Sequence, residues 1–74
     1  MKPVGGQKLV KILCKEFGFE VSRQKGSHIV LRKQIKDRKI VTVVPDHKEL
    51  KRGTLRNILR LAEVDIEEFF AKYK

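Results

Sequence analysis

Phe19-Glu20-Val21-Ser22-Arg23-Gln24, Lys25-Gly26 and Ser27-His28-Ile29-Val30-Leu31-Arg32 decide the fold. The first segment alternates apolar and polar residues, the pattern of a half-buried strand. Lys25-Gly26 is a short turn signal, and the β-branched residues after it favour a second strand. The polar and charged residues 33–38 read as a hairpin loop. Beyond them Lys39-Ile40-Val41-Thr42-Val43-Val44 predicts a third strand, stopped by Pro45. Short connections between three consecutive strands imply an antiparallel meander.

Helices are predicted on either side. Leu9, Val10, Leu13 and Phe17 recur at helical spacing, with Ile12 beside them, which predicts a helix over residues 6–17. Gly18 stands where a left-handed C-cap is expected. Residues 45–53 form a polar loop ending in Gly53, and Thr54 is a suitable N-cap for a helix whose stripe is Leu55, Ile58, Leu59 and Ala62. Asp65-Ile66-Glu67-Glu68 is patterned as a capping box, and opens a short last helix that Phe69, Phe70 and Tyr73 pack onto the body. The fold class is therefore α+β, in the order α-β-β-β-α with a short extra C-terminal helix. Three strands cannot bury themselves, so the helices should cover one face of the sheet and leave the other to water or a partner. This is the plan of double-stranded-RNA-binding domains, an analogy of fold that does not by itself give function.

With 74 residues, a single domain spanning 1–74 is expected. One cysteine, Cys14, excludes an internal disulfide framework or a cysteine-based zinc finger, and suits core filler in a reducing, cytoplasmic setting. No apolar run approaches membrane-spanning length, and Met1-Lys2-Pro3-Val4-Gly5-Gly6 lacks the apolar region of a signal peptide. The net charge is +9, from 18 Lys and Arg against 9 Asp and Glu. Residues 22–60 alone carry net +9, between ends of net +2 and net −2. So one-sided an excess suits a polyanion, with nucleic acid the first candidate.

His28 is the most informative single residue. Strand alternation puts His28, Val30 and Arg32 on one side and Ser27, Ile29 and Leu31 on the other. Ile29 and Leu31 are the apolar, core-facing set, so His28 projects from the open face beside Arg32, with Lys25 in the adjacent turn. Imidazole is the side chain suited to taking a proton near neutral pH, and in RNA the nearby proton is on the ribose 2′-OH. Cationic neighbours would bind the phosphate and oppose charge build-up. His47, in Pro45-Asp46-His47-Lys48-Glu49, is either a second proton-transfer group or a loop residue. Lys51, Arg52 and Arg56 surround the start of the second long helix, where free N–H groups make a phosphate contact plausible. Two histidines and scattered acids offer no metal-ligand spacing, and no nucleotide-cofactor loop or serine-nucleophile motif occurs.

At these residues the chain resembles the HicA (YcfA-like) toxin family of toxin–antitoxin systems. The landmarks are Phe17-Gly18-Phe19, Arg23-Gln24-Lys25-Gly26-Ser27-His28, Thr42-Val43-Val44-Pro45 with His47 and Lys48-Glu49-Leu50, Gly53-Thr54-Leu55-Arg56-Asn57-Ile58-Leu59-Arg60, and Glu67-Glu68-Phe69. The resemblance implies a double-stranded-RNA-binding-like fold and a metal-independent, cofactor-free endoribonuclease that cleaves mRNA. It also implies a HicB-type antitoxin that blocks the site. It makes His28 the catalytic residue. Lys25, Ser27 and Arg32, with Lys51, Arg52 and Arg56, are the expected RNA contacts. Three departures stand out, one of them a somewhat long and basic segment at residues 33–38. Many relatives have a second His where this chain has Ile29, and Ala62-Glu63 stands where they often have Ala-Gly. Two rival readings remain: a non-catalytic RNA-binding module on the same fold, and a protein that binds only another protein through its open sheet face or edge.

Overall fold

The computed structural model describes residues 3–73, so Met1, Lys2 and Lys74 lie outside it. The elements are α1 (Gly6–Phe17), β1 (Glu20–Lys25), β2 (His28–Ile35), β3 (Arg38–Pro45), α2 (Arg52–Ala62) and α3 (Ile66–Lys72). The strands form one antiparallel sheet in the order β1-β2-β3. This is the predicted α-β-β-β-α plan with its extra helix.

Side-chain parity separates the faces of the sheet. Ile29 and Leu31 of β2 and Ile40, Thr42 and Val44 of β3 are buried toward the helices. They meet Leu9, Ile12 and Leu13 of α1, Leu55, Ile58, Leu59 and Ala62 of α2, and Phe69 of α3 in one core. Thr42 is the buried polar member, and its Oγ1 donates to the Ile58 carbonyl at 2.9 Å, tying sheet to helix. Covering is incomplete. Every residue of β1 is exposed, and Val21, on the helix side, is 51 % exposed. A bulge between Val21 and Arg23 interrupts the pairing of this edge strand, a device that blunts edges against unwanted partners.

Several boundaries differ from the sequence reading. Residues 33–38 are not a loop, because β2 runs to Ile35 and β3 starts at Arg38, leaving Lys36-Asp37 as a two-residue turn with Lys36 at φ 48°. Polar residues here are strand residues at the end of the sheet, where one or both faces meet water. Ser27 is a turn residue rather than part of β2, and Gly26 has φ 59°, the positive value that glycine accepts in a tight hairpin. Helix α2 begins ahead of Thr54, with Lys51 at the N-cap and no side-chain cap. The other caps follow expectation: Gly18 is left-handed at φ 79°, and the Asp65 carboxylate accepts from the Glu68 N–H at 3.2 Å.

Candidate functional site

The β1–β2 hairpin closes on the pair Lys25 and His28, which face each other across the strands. On its other side His28 is paired with Pro45 of β3. Directly paired residues share a face, about 4.5–5.5 Å apart at Cα. Lys25, His28 and Pro45 therefore form one rung of the open face, and Arg23, Val30 and Val43 form the rung two residues along β2. His28 and Lys25 are exposed, and Val41 and Val43 are exposed at 44 % and 38 %. Arg32 is on the same face, about 13 Å from His28 along β2, and its Nε lies 3.7 Å from Glu20. The sheet thus brings Lys25 to His28 and puts Arg32 further along, already beside a carboxylate.

The residue after His28 belongs to the other face of the sheet. Ile29 points to the opposite face and is buried in the core. An imidazole at that position would project toward the helices, away from the His28 face.

The loop after β3 is fixed to this rung from two sides. The Asp46 N–H donates to the Ser27 carbonyl at 2.6 Å, joining the loop to the turn just before His28. Gly6 N–H donates to the His47 carbonyl at 2.8 Å, Leu50 N–H donates to the Val4 carbonyl at 2.8 Å, and Gln7 Nε2 donates to Asp46 Oδ1 at 3.0 Å. Gly6 is buried so close to the Pro45 carbonyl that a side chain would collide with it. The result is an open depression lined by Pro45, His47, Glu49, Leu50, Lys51 and Thr54. Pro45 belongs both to this depression and to the His28 rung. A second depression, lined by Gly5, Gln7, Lys8, Asp46, His47 and Lys48, shares His47 with it.

The expected RNA contacts are thus divided. Lys25 and Ser27 share the His28 hairpin, and Lys51 lines the neighbouring depression at the start of α2. Arg52 is exposed in the first turn of α2. Arg56 is not with them: it lines a separate depression with Leu59, Arg60, Val64, Asp65 and Ile66, between α2 and α3. No local pattern in the sequence signals the contact of Gln7 with Asp46, which spans 39 positions. His47, which the sequence leaves open between a proton-transfer group and a loop residue, lines both depressions. Cys14 is half-buried against the core, where burial first and Glu20 second push its thiol pKa up, so it is not an activated nucleophile. Among the described residues no group of three or more His, Cys, Asp or Glu could hold a metal ion. No described helix is long and apolar enough to cross a membrane.

A small basic α+β domain with a histidine on a cationic open sheet face is the class these features define. The family model described as "HicA toxin of bacterial toxin-antitoxin" matches residues 6–64 of the 74-residue chain. The chain belongs to the HicA toxin family, and is a toxin of the toxin–antitoxin kind. The match runs from the first residue of α1 through the C-cap of α2 and includes every candidate site residue. A comparison with curated proteins finds no match for the chain.

Proposed function

We propose that this toxin is a metal-independent endoribonuclease that cleaves mRNA, with His28 as its general acid–base residue. The observation that carries the reading is the open-face rung in which His28 stands directly between Lys25 and Pro45. In this reading the His28 imidazole takes the proton of a ribose 2′-OH. The 2′-oxygen forms a bond to the adjacent phosphorus while the bond from phosphorus to the 5′-oxygen breaks. The departing 5′-oxygen takes a proton from solvent water, the His28 imidazolium returns its proton to the resulting hydroxide, and the products are a 2′,3′-cyclic phosphate and a 5′-hydroxyl end. Lys25 holds the phosphate and offsets charge that builds on its oxygens, and Lys51 and Arg52 supply a second cationic patch. Ser27 and Arg32 contact the strand on either side, and Arg56 serves only RNA that reaches the α2–α3 side. The partner is a HicB-type antitoxin that covers the open face, and the setting is the cytoplasm.

The deciding experiment is cleavage of single-stranded RNA by purified protein in excess EDTA. Native protein is expected to cut, and His28→Ala is expected to lose at least about 100-fold in rate, the span of general acid–base catalysis. Circular dichroism should be unchanged, since His28 is exposed. RNA carrying 2′-deoxy sugars should resist cleavage. Equal cutting by both proteins, or equal cutting of the deoxy substrate, overturns the assignment. Binding without cutting by the native protein would favour a non-catalytic RNA-binding module.

A further inference from the structure

Helix α1 turns its lysines away from the core onto one surface. Lys8, Lys11 and Lys15 are exposed at i, i+3 and i+7, the spacing of a single helical face, and extend over about 10.5 Å of helix axis. Lys72 of α3 joins them, and the four lysines with Ile12 and Glu16 line one depression. Two segments of low net charge, one of them net acidic, thus fold into a local cationic surface that the linear charge pattern conceals.

Shared lining residues connect this surface to the candidate site. The depression beside Pro45 shares His47 with the one holding Lys48, and that one shares Lys8 with the lysine face of α1. Lys8 is held at this junction with its Nζ 5.8 Å from the Tyr73 ring centroid, a cation–π arrangement. Three acids line these depressions, and two of them are engaged. Asp46 accepts from Gln7 at 3.0 Å, and Glu16 lies 3.9 Å from Lys72. Glu49 lines only the first depression. Lys8, Lys11, Lys15 and Lys48 have no carboxylate within ion-pair distance among the described residues.

We infer that single-stranded RNA flanking the cleaved bond is held along this track, from Pro45 past His47 and Lys48 and over the lysine face of α1. This rests on the ribonuclease reading for the identity of the polyanion. The track supplies phosphate contacts and no sequence readout, so it raises affinity for long RNA and leaves the chemistry at His28 untouched.

The test measures binding of a labelled 20-nucleotide single-stranded RNA between 50 and 300 mM salt, in the His28→Ala background. Lys8→Gln, Lys11→Gln and Lys15→Gln together are expected to weaken binding at least about tenfold at low salt. They should also lower the slope of log affinity against log salt by about 2, at about 0.7 per lost phosphate contact on a single strand. Lys36→Gln with Arg60→Gln removes two charges outside the track and is expected to change the slope by less than about 0.5. Lys11→Gln alone, expected to lower it by about 0.7, covers the case of a misfolded triple variant. An unchanged slope in the triple variant, or an equal loss per charge in the control, overturns the track while leaving cleavage by the native protein to stand. A lowered slope with a native protein that cuts nothing keeps the track and removes the ribonuclease reading. No RNA binding at all overturns both.

Discussion

At the scale of single residues, two glycines near the candidate site have opposite roles. Gly6 is buried against the Pro45 carbonyl, and its N–H holds the His47 carbonyl at 2.8 Å. A methyl group there must push α1 away from the loop that carries His47. Gly6→Ala is therefore expected to destabilise by about 1–3 kcal/mol, the usual range for overpacking. On a chain of this size that is a fall in Tm of at least about 4 °C. Gly53, in the first turn of α2, has open space around the position of its missing Cβ and no positive φ. Gly53→Ala is expected to stabilise by about 0.5–1 kcal/mol, because alanine forms helix better than glycine. Thermal melts of the two variants check both signs, and a Gly6→Ala protein as stable as native would show that the loop is not fixed by α1. Neither role is legible in Gly5-Gly6 or Gly53-Thr54 as sequence, since each depends on what the chain brings alongside.

At the scale of elements, the end of α2 shows how one local loss is offset from a distance. Glu63 caps the helix at φ 58°, a left-handed conformation that glycine adopts at little cost and glutamate does not. Its carboxylate receives two hydrogen bonds from the Arg38 guanidinium, at 2.6 and 2.8 Å, linking the helix end to the start of β3. Those hydrogen bonds, with the Arg38 charge, hold the Glu63 pKa below its ordinary value. A carboxylate with a lowered pKa in the folded state contributes stability above the unfolded pKa, about 4.3. That contribution is lost as pH falls through the folded pKa. Glu63→Gln is therefore expected to flatten the decline of stability below about pH 4.3, read as denaturation midpoint against pH. Glu63→Gly removes the ion pair and the left-handed strain together, so at high salt, where the exposed pair is screened, it should be more stable than native. An unaltered acid slope in Glu63→Gln would mean that the pair contributes nothing measurable. The resemblance marks Glu63 as standing where relatives often have glycine, but Arg38 lies 25 positions away, and its polar neighbours have the composition of a loop. The elements with strong periodicity, α1, β3 and the stripe of α2, were legible because burial imposes their pattern. The ends of β2 and β3 were not, since strand residues exposed at the end of the sheet have the same composition as a loop. The same parity that placed His28 correctly on the open face said nothing of the Ser27–Asp46 bond, which joins that face to the His47 loop.

At the scale of the whole molecule, charge dominates. Net charge +9 is carried by a body of 35 × 29 × 20 Å. The Debye length is about 30 Å at 10 mM salt, so every cation then feels nearly every other, and about 8 Å at 150 mM, where repulsion is confined to neighbours. Among the described residues three ion pairs oppose this repulsion, all between exposed side chains and each small in energy. Self-repulsion therefore outweighs pairing, and adding sodium chloride from 10 to 150 mM should raise the denaturation midpoint in urea with no change of slope. The Lys8, Lys11, Lys15 triple variant should start from a higher midpoint at 10 mM and gain less from salt, because three of the most crowded cations are gone. That result would link stability to binding: the charges that weaken the free fold are those that await a polyanion, and RNA or an acidic partner would stabilise the chain by mass action. A midpoint that falls with salt would instead make the exposed pairs, above all Arg38 with Glu63, the dominant electrostatic contribution to this fold.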